Sequence, residues 1–434
     1  MLSFKKSINS LTPQDDYTQS IWATLDGFRV FGMTLVIIGH TLGLVAIGYA
    51  KHENIPLLEI INQVPWYMAW VANAHLMVDL FFIFSGFLIS NILFREQEKT
   101  GRINVSRFYF RRFMRLMPVY LVVCILFYLG GIPNKETIWR NLLYINNFWP
   151  HREGAADWTW SLAVEEQFYV LFPLFLMLFP KKNAAFFVTV FSLYVLSFVI
   201  RFLIVMNNEL FTQFQIYDQL SNEALDNAYL SELYDNLYTR FGAFMCGIMV
   251  AYLYRYKREQ VDHFFNVSKL GPNLLLLAYV FFVFFVFMVW QKKIDMPQGF
   301  VIAYYTGYRN LFSLVFVFVI LALLVRGKYT FALVRLFTHR MYFGLAQLVY
   351  SAYLIHIPCV AAACFFTHFF ITKSWFDQST LYIGSTFFIG LILGCILTYF
   401  MSFLIYSFIE NPMLAYRDKK TGKSFRQASK NETQ

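Results

Sequence analysis

The chain is written in long apolar runs separated by short polar stretches, of which Leu274 to Trp290 and Leu311 to Val325 are two clear cases. Each approaches the ~20 residues that cross a bilayer as a helix. Reading run by run predicts ten helices, at approximately 22–48, 67–93, 112–130, 158–179, 184–206, 239–256, 272–290, 308–325, 343–367 and 382–409. No internal repeat or inverted duplication is evident. The expected fold is therefore an all-α, polytopic integral membrane protein of about ten transmembrane helices. Its expected organisation is an N-terminal segment over 1–21, a transmembrane domain over 22–410 and a basic tail over 411–434, flexible from Tyr416 on.

Composition supports this. Charged residues make up 14% of the chain, against about a quarter in an ordinary soluble domain. A soluble helical protein of this length needs far more polar helix faces. The five cysteines, Cys124, Cys246, Cys359, Cys364 and Cys395, all lie in apolar stretches without metal-ligand spacing to histidines. Free thiols are expected, with no disulfide framework and no metal site. The first twenty residues are polar and include Asp15 and Asp16, which does not match the apolar core of a signal peptide.

Charge in the connections predicts orientation. Arg95, Lys99, Arg102, Arg107 and Arg111 follow the second run; Lys181 and Lys182, then Arg255, Lys257 and Arg258, then Arg326, Lys328 and Arg335 occupy later alternate loops. The tail adds Arg417, Lys419, Lys420, Lys423, Arg426 and Lys430. The intervening loops are poor in cations, and the longest, Asn207 to Tyr238, has none while carrying six acidic residues. The positive-inside rule then places both termini in the cytoplasm. Most of the net charge of +10 is absorbed by this topology, with anionic lipid beside the basic loops and no nucleic-acid partner.

Against this background, polar residues within the runs are costly unless they face a cavity or partners. Arg29 and His40 both lie in the first run, eleven residues apart. At 100° per residue that is only about 20° past three full turns, so both project from one helix face, about 16 Å apart along the axis. Asp26 precedes Arg29 by three residues and is its expected partner. With the predicted topology, His40 lies at a depth similar to that of Glu165 in the fourth run. A carboxylate beside an imidazole fixes its tautomer and raises its basicity, which outlines a general base; a structural interhelical hydrogen bond is the alternative.

In the second run, Asp79 has Arg29, Arg240 or His40 as possible partners, and Ser85-Gly86 reads as a packing contact ahead of a nucleophile. Arg112 and Arg115, three apart at the predicted cytoplasmic mouth, suit phosphate recognition by guanidinium forks as well as they suit a simple anchor. Arg240 opens the sixth run and His356 lies near the middle of the ninth, where a packing role and a functional one are equally expected.

Several stretches together resemble the acyltransferase 3 family of integral membrane acyltransferases. They are the Arg29-x10-His40 element after Leu25-Asp-Gly, Val78 to Leu88, Arg111-Arg-Phe-Met-Arg-Leu-Met-Pro118, Trp160 to Tyr169, Tyr353-Leu-Ile-His356 and Ile409-Glu-Asn-Pro412, in the family's order. The resemblance implies transfer of an acyl group, usually acetyl from acetyl-CoA, to a hydroxyl of a sugar, lipid-linked glycan or small molecule. It implies His40 as base, Arg29 in the same essential element, Arg112 and Arg115 handling the acyl-CoA donor, and Glu165 at the family's acidic position. Asp79, Arg240 and His356 are expected to bind substrate. The acyl-CoA is a substrate, and no bound cofactor is expected. The expected setting is a bacterial inner membrane. The expected form is stand-alone, without the periplasmic esterase-like domain that some members add. A transporter or flippase using the same charges as a relay is the competing expectation, weakened by the missing repeat.

Overall fold

A computed structural model describes residues 4–13, 17–288, 292–372 and 380–422. Asp15, Asp16 and Trp290, and the tail cations Lys423, Arg426 and Lys430, lie outside the described residues. Counting only the long helices, α1 is Ile21–Glu53, α2 Met77–Thr100, α3 Val105–Gly130, α4 Trp160–Met177 and α5 Ala184–Asn207. They are followed by α6, Leu237–Tyr256; α7, Leu270–Phe287; α8, Gln298–Leu324; α9, Met341–Phe366; and α10, Thr380–Ile405. No strand occurs among the described residues. Nine helical segments among them are long and apolar enough to cross a membrane. The one left out of the ten expected is α4: it forms, but Glu165, Glu166 and Gln167 dilute its apolar content. The all-α polytopic architecture stands.

Several boundaries differ from the sequence reading; the second helix, expected at 67–93, is Met77–Thr100, and three other differences bear on polar residues. The third helix starts at Val105, because Asn104 caps it by accepting from the Arg107 amide at 2.9 Å. Arg112 and Arg115 are thus inside a helix. The eighth starts at Gln298, ten residues before the expected 308, which brings Arg309 into its interior. The tail, expected to be flexible from Tyr416, is helical over Asn411–Thr421, with Pro412 in its first turn and Lys419 and Lys420 in its last. Proline preset for the first turn and cations near the terminal carbonyls both favour this helix.

The chain divides into two compact units. The first comprises Met1–Ile37, Asn104–Gly131 and Ala332–Gln434. Within it, α9 packs along α10, and helix Asn411–Thr421 lies against α3. Arg107 donates to the carbonyl of Thr421 at 2.8 Å and Arg111 to its hydroxyl at 3.1 Å. Gly27 approaches the backbone of Phe337 so closely that a Cβ would lie 2.2 Å from its carbonyl oxygen.

The second unit comprises Ile38–Ile103 and Ile132–Phe331. Its centre is α6, packed against α2, α4, α5 and α8. α2 and α6 cross where Gly86 meets Gly247: a Cβ on Gly247 would lie 2.1 Å from the Ile83 carbonyl oxygen, and one on Gly86 2.4 Å from that of Phe244. Small residues at a membrane-helix crossing let the backbones touch, so Gly86 packs, as its sequence context indicates. Asn310 of α8 donates to Ser197 of α5 at 2.9 Å.

Candidate active site

Each unit holds clustered polar side chains within its helices. In the first unit, Arg29 pairs with Asp26 at 3.4 Å, as their spacing predicts, and the Tyr17 hydroxyl donates to the other Asp26 oxygen at 3.0 Å. The charge of Arg115 also acts on Asp26. Arg112, one turn away on α3, sets its guanidinium over the Phe108 ring at 5.8 Å. At the end of the chain, buried Glu410 accepts from the Ser351 hydroxyl at 3.0 Å, and Arg115, Arg29 and Arg417 lie within its electrostatic reach. Arg115 of the Arg-x-x-Arg pair, Arg29 and the Glu-Asn-Pro motif therefore converge on one basic cluster. His356 is fully buried in the same unit, and its Nδ1 donates to the Tyr353 carbonyl at 2.7 Å. A carbonyl only accepts, so Nδ1 carries the proton.

The second unit holds His40, Glu165, Asp79 and Arg240. α1 runs unbroken from Ile21 to Glu53, so the single-face spacing of Arg29 and His40 stands. His40 is exposed. Glu165 is half-buried, and one of its oxygens accepts from both the Ser85 and Tyr169 hydroxyls; Tyr169 in turn lies 3.2 Å from Ser85. Ser85 is thus held by a carboxylate, while its neighbour Gly86 makes the packing contact. Gln167, two residues on, donates to the Tyr144 carbonyl and to Asn147, each at 2.8 Å, fixing the approach to α4.

Asp79 is almost fully buried and carries two arginines: Arg240 at 3.2 Å and Arg309 at 2.8 Å. The first is among the partners its sequence allows. The second is not among them: Arg309 lies at the second position of the expected eighth helix and well inside the observed one. Arg201 of α5 is also buried, and its guanidinium donates to the carbonyls of Tyr305, Thr306 and Leu233. Both missed residues carry the signal that singled out Arg29, a cation inside an apolar run.

The segment Asn207 to Tyr238, an acidic stretch in sequence, folds over this core. It forms helices Glu209–Gln213 and Glu223–Ala228 and a π-helical turn Tyr229–Tyr234. The Tyr229 hydroxyl accepts from Arg309 at 3.1 Å. Arg152 bridges Glu223 and Asp226, both at 2.8 Å. Buried Asp235 accepts from His151 Nδ1 at 2.5 Å, with Asp157 3.4 Å from Nε2.

Burial opposes the charged form of His151, but the hydrogen bond and charge of Asp235, with Asp157 and Asp226 behind it, outweigh burial and raise its pKa above the ordinary histidine value. A raised histidine stabilises the fold fully below its unfolded value, about 6.5, and that contribution is lost as pH rises through the folded value. Melting temperature in detergent should therefore fall over that range, and His151→Asn should flatten the profile. An unchanged slope in the variant would assign the pH response elsewhere.

A protein-family profile described as an acyltransferase domain matches residues 22–408. The peptidoglycan O-acetyltransferase of Listeria monocytogenes is 31% identical over 150 residues, 30% of this chain and 24% of that protein. Nose resistant to fluoxetine protein 6 of Caenorhabditis elegans is 29% identical over 275 residues, 55% of this chain and 33% of that protein. The alignments thus span about a quarter to a third of these relatives. No solved structure matches the chain.

Proposed function

Because the chain belongs to the acyltransferase 3 family, we propose that it moves an acyl group, acetyl in the simplest case, from acyl-CoA to a hydroxyl of a glycan, lipid-linked sugar or small molecule. The observation that carries this reading is the family match over 22–408, which includes the Arg29 and His40 element, Arg112 and Arg115, and the groups around Asp79 and Glu165. Family membership favours transfer over transport by the same charges.

In this reading Arg29, Arg112 and Arg115 bind the donor phosphates, with guanidinium forks matching phosphate oxygens. His40 removes the proton of the acceptor hydroxyl. The alkoxide attacks the thioester carbonyl, the C–S bond breaks, and the imidazolium returns its proton to the departing thiolate. Glu165 supplies the carboxylate of the transfer site, with Ser85 and Tyr169 as its hydroxyl partners. Asp79, Arg240 and His356 are assigned to substrate binding. The setting proposed is a bacterial inner membrane, and loop charge favours both termini and the donor on its cytoplasmic side.

Purified protein in detergent, given acetyl-CoA and no gradient, is expected to release CoA thiol faster than buffer and faster still with a hydroxylated acceptor. Folded protein that releases no thiol from acetyl-CoA or longer acyl-CoAs would remove this function. Mass found on Ser85 or a histidine after donor alone would replace direct transfer by an acyl-enzyme route.

A further inference from the structure

Arg240 is a fully buried cation with almost nothing to bond to. Its side chain is 2% exposed. None of its three guanidinium nitrogens makes a hydrogen bond, and its one ion-pair contact, with Asp79, is 3.2 Å long. What surrounds it is aromatic: the guanidinium carbon lies 5.0 Å from the Tyr234 ring, 5.3 Å from Trp160 and 5.5 Å from Phe82. Rings attract the cation but leave its fork of donors unfilled. Burying such donors without acceptors is strongly unfavourable.

Charge balance around it points the same way. Arg201, Arg240 and Arg309 interact electrostatically with one another and with Asp79. The charge of Asp235 also reaches Arg240, but His151 already holds that carboxylate. Three guanidinium groups thus share Asp79 and a carboxylate that is committed elsewhere.

A second unfilled group lies beside them. The His75 ring is 6.5 Å from that of Tyr234, and the charges of Arg309 and Arg240 act on it. Its Nδ1 sits 3.1 Å from the Ala72 carbonyl, so Nδ1 carries the proton and Nε2 keeps its lone pair. That Nε2 is buried and has no partner. An acceptor nitrogen thus stands by a surplus of cationic donors. Tyr234 and His75 are only half-buried, which leaves an approach from their side.

We propose that this corner of the second unit is the binding site for an anionic, hydroxylated ligand, with its carboxylate or phosphate on the Arg240 and Arg309 guanidinium groups and a hydroxyl donating to His75 Nε2. This rests on the acyltransferase reading and names the acceptor class: a negatively charged sugar.

Binding to purified protein in detergent, without acyl donor, tests the site apart from catalysis. Glucuronate and a sugar phosphate are the anionic probes and glucose is the neutral control, read by calorimetry. Either anion is expected to bind, with glucose at least about tenfold weaker, the scale of one charge-assisted hydrogen bond. His75→Ala should weaken the anion's binding and Arg240→Gln should lower it by about 10- to 100-fold. Because Arg240→Gln alters a buried charge cluster and lowers folded yield, Tyr234→Ala, checked by its melting curve, is the second variant and should also weaken binding. His40→Ala should leave anion binding intact even if it stops transfer, so loss of the acyltransferase reading and loss of this site give different results. Equal affinity for glucose and glucuronate, or anion affinity unchanged in folded His75→Ala and Tyr234→Ala, would overturn the site.

Discussion

The His40→Ala protein is expected to insert, fold and bind donor like the parent, and to lose acyl transfer by about 10²- to 10⁴-fold, the range contributed by a positioned general base. Its fold should be indifferent because His40 is exposed on an unbroken helix, and alanine is the best helix former. Donor binding should be indifferent because His40 is not among the residues assigned to the donor, and Asp26 and Phe108 hold Arg29 and Arg112 without it. The check is a set of three measurements on one preparation: melting temperature, CoA binding, and thiol release with acceptor. Transfer at the parental rate by a folded His40→Ala protein would reject His40 as the base. Arg29→Ala should give the complementary pattern, weaker CoA binding with His40 intact. If both variants lost only the acceptor-dependent rate, the division of labour between the two residues would be wrong.

The contrast between those residues and Arg309 explains what the sequence could reveal. Arg29 and His40 were legible because they sit in the middle of a long apolar run and repeat at a helical spacing, two local facts. The Asp26 partner was legible for the same reason, since i,i+3 neighbours on a helix meet whatever the tertiary fold. Arg309 carries the same signal, but the polar residues Gln298, Thr306 and the glycines around them blur the start of its helix. Set at the second position of the expected helix 308–325, it does not stand out as a cation within a run, whereas its place is the helix interior. The partners of Glu165 were not legible at all. Ser85 lies 80 positions away, and their meeting depends on how α2 packs beside α4. Nor does composition show that the acidic stretch before α6 folds inward. Its carboxylates suit solvent, while the tyrosines among them, Tyr229 and Tyr234, close over the arginines. The helical tail needed Arg107 and Arg111, some 300 positions earlier, to hold its last carbonyl and hydroxyl.

Asp79→Asn is expected to be the most destabilising conservative change in the second unit. The carboxylate ties α2 to both α6 and α8 through Arg240 and Arg309, with all three side chains within 3% of complete burial. An amide of nearly the same shape removes the charge and leaves two guanidinium groups facing each other in a medium that cannot screen them. Removing one partner of a buried ion pair typically destabilises by about 3–5 kcal/mol, chiefly because the remaining charge is uncompensated. Here two remain, with Arg201 adding a third within electrostatic range, so the upper part of that range is expected. The melting curve in detergent measures it. A partner substitution separates charge from packing: Arg309→Gln removes the Tyr229 bond in either background, but alone it also removes an ion pair, whereas with Asp79→Asn it also removes repulsion. The double variant should therefore be more stable than the sum of the two single losses implies, by the coupling of at least about 1 kcal/mol that contacting residues show. Additive losses would mean that Asp79 packs without acting as the shared anion, and the cluster would then owe its positive excess to the aromatic rings and backbone carbonyls that line it.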